Sequence, residues 1–245
     1  MKKILDTFRH RAFRGRGAAD FEAVERAERI YYLEFLRAGM TVFDVGANIG
    51  ELTLLFSRFA GRNGVVHAFE ASRKVFQRLE TVCCATGRRN ITLNHLALAE
   101  KNGSIRLNVY EEDYSEFNSR AARPLENYGL DVKPSGSEEA PASTLDDYCE
   151  KNAVDFIDLL KIDVEGAEFQ VMQGARRMLE SKSIACLAFE FGQTTFDMGN
   201  NPSEIEFFLK SFGYEIRNVV NGDPIFPGRE AVETAKYSMH IAESR

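Results

Sequence analysis

The chain has 245 residues, enough for one domain with a sizeable core, and 44% hydrophobic and 28% charged residues, a globular rather than disordered balance. No run approaches the roughly 18 apolar residues of a membrane span, and no charged, apolar, then small-residue signal pattern opens the sequence. The formal charge of −6 argues against a nucleic-acid partner, whose phosphates reward a basic face.

Residues 1–16 carry Lys2, Lys3, Arg9, Arg11, Arg14 and Arg16 against Asp6 alone, with Ile4, Leu5 and Phe8 at helical spacing. Two readings fit: a basic amphipathic helix in weak contact with an anionic membrane surface or a partner, or one apolar turn packed on the domain. A helix is predicted from Asp20 to Arg37, with Phe21, Val24, Ile30, Tyr31 and Phe35 as its apolar stripe and Gly39 as its stop. Leader and helix, 1–38, precede the main domain, 39–245.

From there the pattern alternates. Strands are predicted at Thr41–Val45, Val65–Glu70 and Ile91–Leu98, separated by helices at Glu51–Phe59 and Lys74–Ala85. Single helices between strands imply right-handed crossovers and a parallel sheet covered on both faces. Gly103–Tyr110 reads as an extra strand. Glu111–Ser143 is long, polar and proline-bearing, an insertion of the length that is usually functional. The rhythm resumes with a strand at Asp155–Asp163, a helix at Ala167–Glu180, a strand at Ile184–Phe191 and a helix at Ser203–Phe212. Glu215–Val220 and Tyr237–Ala242 are then two strands joined by a loop, a connection that suits an antiparallel pair. The cysteines, Cys83, Cys84, Cys149 and Cys186, lack zinc-site spacing and read as free thiols of a cytoplasmic protein.

In an open parallel sheet, ligands bind at the carboxyl ends of the strands. The first strand ends in Asp44-Val45-Gly46-Ala47-Asn48-Ile49-Gly50, where glycines permit a sharp turn and close ligand approach. The G-x-G-x-x-G pattern that seats a pyrophosphate is absent. Asp44 would repel a pyrophosphate and attract an ammonium or sulfonium. The nucleoside with those cations and no phosphate is S-adenosylmethionine. Glu70, ending the second strand, is placed to accept hydrogen bonds from ribose hydroxyls. Ala97 and Leu98, ending the third, would line adenine.

A second constellation, Lys161-Ile162-Asp163-Val164-Glu165-Gly166-Ala167-Glu168, ends a strand and opens a helix. Lys161 and Asp163 share a face by period two. Asp163 would orient the transferring methyl, hold an acceptor hydroxyl or take its proton. Glu165 is a second candidate to take that proton, although it and Glu168 also suit a helix N-terminus structurally. Glu190, ending the next strand, is a further candidate base. Tyr110, Tyr114, Phe117, Asn118 and Tyr128 in the insertion suit stacking and hydrogen bonding to a sugar. Asp163 and its neighbours are hard oxygen ligands, but no spacing demands a divalent metal. His10, His67, His95 and His240 are scattered and read as structural.

The blocks TVFDVGANIGELTL and TLDDYCEKNAVDFIDLLKIDVEGAEFQVMQGA together resemble the FkbM family of S-adenosylmethionine-dependent methyltransferases, over roughly Gly39 to Phe191. The resemblance implies a doubly wound α/β fold of class I methyltransferase type. Its sheet has seven strands, mostly parallel, with an antiparallel C-terminal strand. It also implies O-methylation of a sugar, glycan or natural product. Carried over by position, Asp44, Gly46, Asn48 and Gly50 match the cofactor loop, with Ala47 between them. Glu70 matches the ribose acid, and Asp163 lies near the methyl. An amine-methylating Asn/Asp-Pro-Pro-aromatic motif is missing; the Asn201-Pro202 pair lies in a later loop. Two other classes remain open from sequence: a nicotinamide oxidoreductase of Rossmann type, and a catalytically silent methyltransferase-like binding domain.

Overall fold

The computed structural model describes residues 18–121, 125 and 132–244. The basic leader and Tyr128 lie outside the described residues.

Helix α1 (Ala18–Phe35) opens the fold. Its buried stripe is Val24, Glu28 and Tyr32, continued by Leu36, a spacing of four that lays one face along the sheet. The stripe predicted through Ile30 is displaced by one position, and Ile30 is exposed. Then come β1 (Thr41–Val45), α2 (Glu51–Ala60), β2 (Val65–Phe69), α3 (Arg73–Ala85), β3 (Ile91–Asn94), β4 (Ala97–Leu98) and β5 (Gly103–Val109). A short 3-10 helix, Glu112–Phe117, leads into the excursion, and β6 (Gly136–Ser143) returns from it. The second half comprises α4 (Leu145–Lys151), β7 (Ile157–Ile162), α5 (Glu168–Gln173), α6 (Arg176–Glu180), β8 (Ile184–Phe191), α7 (Gln193–Asp197), α8 (Pro202–Ser211), β9 (Tyr214–Asn218) and β10 (Ser238–Ser244).

The main sheet has seven strands in the order β3-β2-β1-β7-β8-β10-β9. All pairs are parallel except those of β10, which is antiparallel to both β8 and β9. This is the predicted doubly wound architecture. Along β1, Val42 joins Tyr32, Leu36 and Phe56 on one face, while Phe43 and Val45 enter the core on the other with residues of α4, α5, α6 and α8. The chain runs outward from β1 through β3, then re-enters beside β1 as β7. The strand order therefore reverses between β1 and β7, which is where such folds take ligands.

Three predicted elements are corrected. The strand predicted at Ile91–Leu98 breaks at His95: β3 stays in the main sheet, while β4 pairs with β6 in a separate sheet of order β4-β6-β5. The insertion predicted as Glu111–Ser143 ends earlier, because Gly136–Ser143 is a strand antiparallel to β5. The helix predicted at Ala167–Glu180 is two helices. At Gly174 between them, a Cβ would lie 2.0 Å from the Ala99 carbonyl oxygen, so the bend admits a close backbone approach. The sequence reading also passed over α4, which Thr144 caps by accepting a hydrogen bond from the Asp147 amide. The four cysteines are free thiols, with Cys84 exposed.

Candidate cofactor and active site

The turn after β1 is built by backbone. The Gly46 and Ala47 amides donate to the Phe69 carbonyl at 3.0 and 2.9 Å, tying the turn to the end of β2. Gly46, Asn48 and Gly50 all have positive φ, at 80°, 48° and 92°. A Cβ on Gly46 would lie 1.8 Å from the Asp163 carbonyl oxygen, so only glycine lets β7 end this close. Ala47 packs beneath the turn on Ala68 and Leu79.

Glu70 accepts from the Asn48 amide at 3.0 Å through one carboxyl oxygen and from the Ser72 amide at 2.9 Å through the other. The side chain is thereby fixed beside the turn. Burial pushes its pKa up to about 7, against the lowering pull of those amides. Ala97 packs on Ala71, the residue after Glu70. Leu98, the next residue on β4, turns the opposite way into the main core, which corrects its expected place beside adenine.

Asp44 is fully buried rather than facing an open cleft. Thr53 Oγ1 on α2 donates to its Oδ2 at 2.6 Å. Its Oδ1 has no hydrogen-bond partner among the described residues, but Lys161 Nζ stands 3.4 Å away. Residues Asp44 and Lys161 are register partners across β1 and β7, so their side chains leave the sheet on one face. Lys161 also reaches Asp163 Oδ2 at 3.3 Å and donates to the Gly46 carbonyl at 3.2 Å. Burial pulls the ammonium pKa down, yet the charges of Asp163, Asp44 and Glu28 more than reverse this and leave it above the usual lysine value. The sequence reading missed Glu28, because an acid was not sought on a buried helix stripe. Its four-residue spacing from Val24 and Tyr32 was the available signal.

The second cluster holds the three expected catalytic acids. Asp163 follows β7, Glu165 sits in the next turn with φ 56°, and Glu190 lies in β8. Carboxylate oxygens of the three lie within 4.8 Å of one another. Burial, then the charges of Glu165, Asp163 and Glu168, drives the Glu190 pKa well above the carboxylate range, and Glu190 is hydrogen-bonded to Asp163. Its raised proton affinity and its hydrogen bond to Asp163 suit the two carboxyls to holding a proton between them. The same oxygens are the hard donor set that a divalent cation takes. Glu168 has a different task. Its Oε1 accepts from the Val164 and Gly166 amides at 3.0 and 3.1 Å, so it shapes the turn that carries Asp163 and Glu165.

The excursion leans on this turn. Ser119 Oγ donates to the Glu165 carbonyl at 2.7 Å, and the Ser119 backbone bridges to Asn108 of β5. Tyr110 and Phe117, expected to stack an acceptor, are buried with Leu125 in a cluster of their own, flanked by Tyr114. Asn118 Oδ1 accepts from the Tyr110 amide at 2.9 Å. These residues hold the excursion together. His67 is buried against the Tyr148 hydroxyl at 2.8 Å, and His95 stacks on Phe76, both structural as expected.

Comparison with known proteins agrees with this geometry. The methyltransferase FkbM domain family matches residues 44–216, from Asp44 to within β9. The chain belongs to the FkbM methyltransferase family. A curated relative, 31-O-demethyl-FK506 methyltransferase FkbM of Streptomyces tacrolimicus, is 29% identical over 223 residues, 82% of this chain and 81% of the relative. The crystal structure of an FkbM methyltransferase from Methylobacillus flagellatus superposes with a TM-score of 0.51 at 16% identity, covering 86% of this chain. This chain spans about half, 49%, of that protein's length. A Streptococcus mutans protein solved in complex with SAH gives a TM-score of 0.50 at 9% identity, covering 91% of this chain and 98% of that one. The FkbM chain thus has the fold of the S-adenosylmethionine-dependent class I methyltransferases, and the nicotinamide oxidoreductase reading is set aside. No helix among the described residues is long and apolar enough to cross a membrane.

Proposed function

We propose that this FkbM methyltransferase binds S-adenosylmethionine at the Gly46–Gly50 turn and methylates a hydroxyl of a sugar, glycan or natural product. The donor set fits the nucleoside. Glu70, held beside the turn by backbone amides, is placed for the ribose hydroxyls, and Ala97 with Ala71 offers a small apolar wall beside it. Lys161, beside the turn, is already committed to Asp44 and Asp163 rather than left to a pyrophosphate. When bound, the cofactor supplies an electrophilic methyl carbon on a positively charged sulfur.

The observation that carries the hydroxyl reading is the Asp163–Glu190 pair. A hydroxyl must lose its proton as its oxygen takes the methyl, and a carboxylate pair with raised proton affinity accepts it. Asp163, whose side chain is 37% exposed, receives the acceptor's hydrogen bond, and Glu190 behind it holds the pair's other proton. The Streptomyces relative is named for an oxygen position of a natural product, which supports the same acceptor class.

The test is transfer of a tritiated methyl from labelled S-adenosylmethionine to nucleotide sugars, lipid-linked sugars and small-molecule extracts. An ether product that survives mild alkali is expected. Label found only on nitrogen would overturn the hydroxyl reading, and no transfer across the screen would favour a silent binding domain.

A further inference from the structure

Helix α1 lies outside the FkbM match, which begins at Asp44, yet it carries a carboxyl group into the cofactor end of the sheet. Glu28 is buried and accepts from the Tyr32 hydroxyl at 2.7 Å. Four groups act on it electrostatically or by hydrogen bond: Lys161 and Asp163 across the layer, and Tyr32 and Glu25 on its own helix. Lys161 in turn sits between Asp44 and Asp163. Asp44 and Asp163 thus flank one ammonium, and Glu28, buried on a third element, acts on it electrostatically. With all of them ionised the cluster carries a net charge of −2, from three carboxylates and one lysine, in a region where little water screens it.

That excess charge bears on which form of the cofactor is held. S-adenosylmethionine has an ammonium, a sulfonium and a carboxylate, and so carries one net positive charge. The product, S-adenosylhomocysteine, has lost the sulfonium charge with the methyl group and is neutral overall. Every other group on the two molecules is the same. Glu28 reaches neither through a direct contact; it acts through Lys161 and Asp163 as a positioning residue.

We infer that Glu28 of α1 makes the Lys161-centred cluster discriminate by charge, favouring the sulfonium cofactor over its neutral product and so easing product release. This rests on the cofactor lying at the Gly46–Gly50 turn. It assigns the helix ahead of the family domain a part in binding rather than in packing alone.

The experiment is calorimetric titration of the full chain with each nucleoside at about pH 8.5, where Glu28 is ionised. Glu28→Gln keeps the acceptor atom for Tyr32 and removes only the charge. The ratio of the Kd for S-adenosylhomocysteine to that for S-adenosylmethionine is expected to fall by about three- to tenfold, with product affinity changed by less than about twofold. Tyr32→Phe, which removes the hydroxyl that steadies the Glu28 charge, is expected to move the ratio the same way by a smaller factor. The ratio is insensitive to any inactive fraction of the protein. A ratio unmoved in Glu28→Gln, or an equal weakening of both nucleosides, overturns the inference while leaving the cofactor site standing. Wild-type protein that binds neither nucleoside overturns the cofactor reading and this inference with it.

Discussion

Two buried acidic clusters share Asp163 and differ in what neutralises them. In the first, Asp44 and Asp163 contact the ammonium of Lys161, and Glu28 acts on it electrostatically. In the second, Asp163, Glu165 and Glu190 crowd together, and burial with the neighbouring charges raises the proton affinity of Glu190. A lysine is a permanent charge at physiological pH, so the first cluster is organised about a fixed cation. A proton is exchangeable, so the second is suited to accepting one from a substrate. The two clusters, sharing Asp163, thus differ in whether a fixed ammonium or an exchangeable proton balances their charge.

The sharpest way to break this contrast is Lys161→Met. It leaves Asp44 buried with its charge uncompensated, and a loss of about 3–5 kcal/mol in urea unfolding is expected. Adding Asp44→Asn should restore part of that loss; a harmless Lys161→Met would mean that the first cluster is not held by its cation. For the second cluster, Asp163→Asn, which removes the proton acceptor, is expected to lower kcat by at least about 100-fold, or about 2.7 kcal/mol, on an acceptor found by the screen. Glu190→Gln, which keeps the shape and hydrogen of the protonated partner, should leave affinity for S-adenosylmethionine within about twofold, measured by calorimetry. An unchanged kcat in Asp163→Asn would remove the proton-accepting role.

A third effect is a pH dependence. Burial holds Glu28, Glu70 and Glu168 at about 7, and pushes Glu190 well above the ordinary carboxylate value. The native state therefore binds more protons at these sites than the unfolded chain, and their contribution to stability falls as pH rises from the ordinary carboxylate range through about 7. His67 and His240, lowered to about 4 and about 3 by burial, act oppositely, but only below the ordinary histidine value of 6.5. Between pH 6.5 and about 8 the carboxyls act alone, so the melting temperature of the ligand-free protein should decline, and less steeply in Glu28→Gln. A rising melting temperature over that interval would contradict the buried protons. The smallest effect on the cofactor is expected from Phe117→Ala. It should speed amide exchange in residues 111–121 while leaving cofactor affinity within about twofold, since its contacts lie inside the excursion's own cluster.

The alternation of short apolar runs with helices made the main sheet legible, because buried parallel strands and amphipathic helices leave different periods in a sequence. The strand predicted over Ile184–Phe191 coincides with β8 at both ends. Asp163, Glu165 and Glu190 were each readable as acids at strand ends, and their convergence follows from the parallel register of β7 and β8. What was not legible depends on partners distant in sequence. The break after Asn94 requires β6 as a separate neighbour for β4. The inward turn of Leu98 depends on that break. Glu28 looks like any surface glutamate until Lys161 is placed opposite it. Tyr110 and Phe117 look like an acceptor platform until they are seen packed with Leu125.

The excursion leaves and rejoins the fold through β5 and β6, which pair with each other outside the main sheet. It meets the reactive turn through a hydroxyl on a carbonyl, Ser119 to Glu165, an attachment that depends on no side chain of the turn. Its length and sequence are thereby decoupled from the register of the seven strands. This is a seam at which one excursion can be exchanged for another by recombination, with the seven-stranded sheet carried along intact. A graft replacing the segment between Tyr110 and Gly136, with a serine kept at position 119, would inherit the same reactive turn.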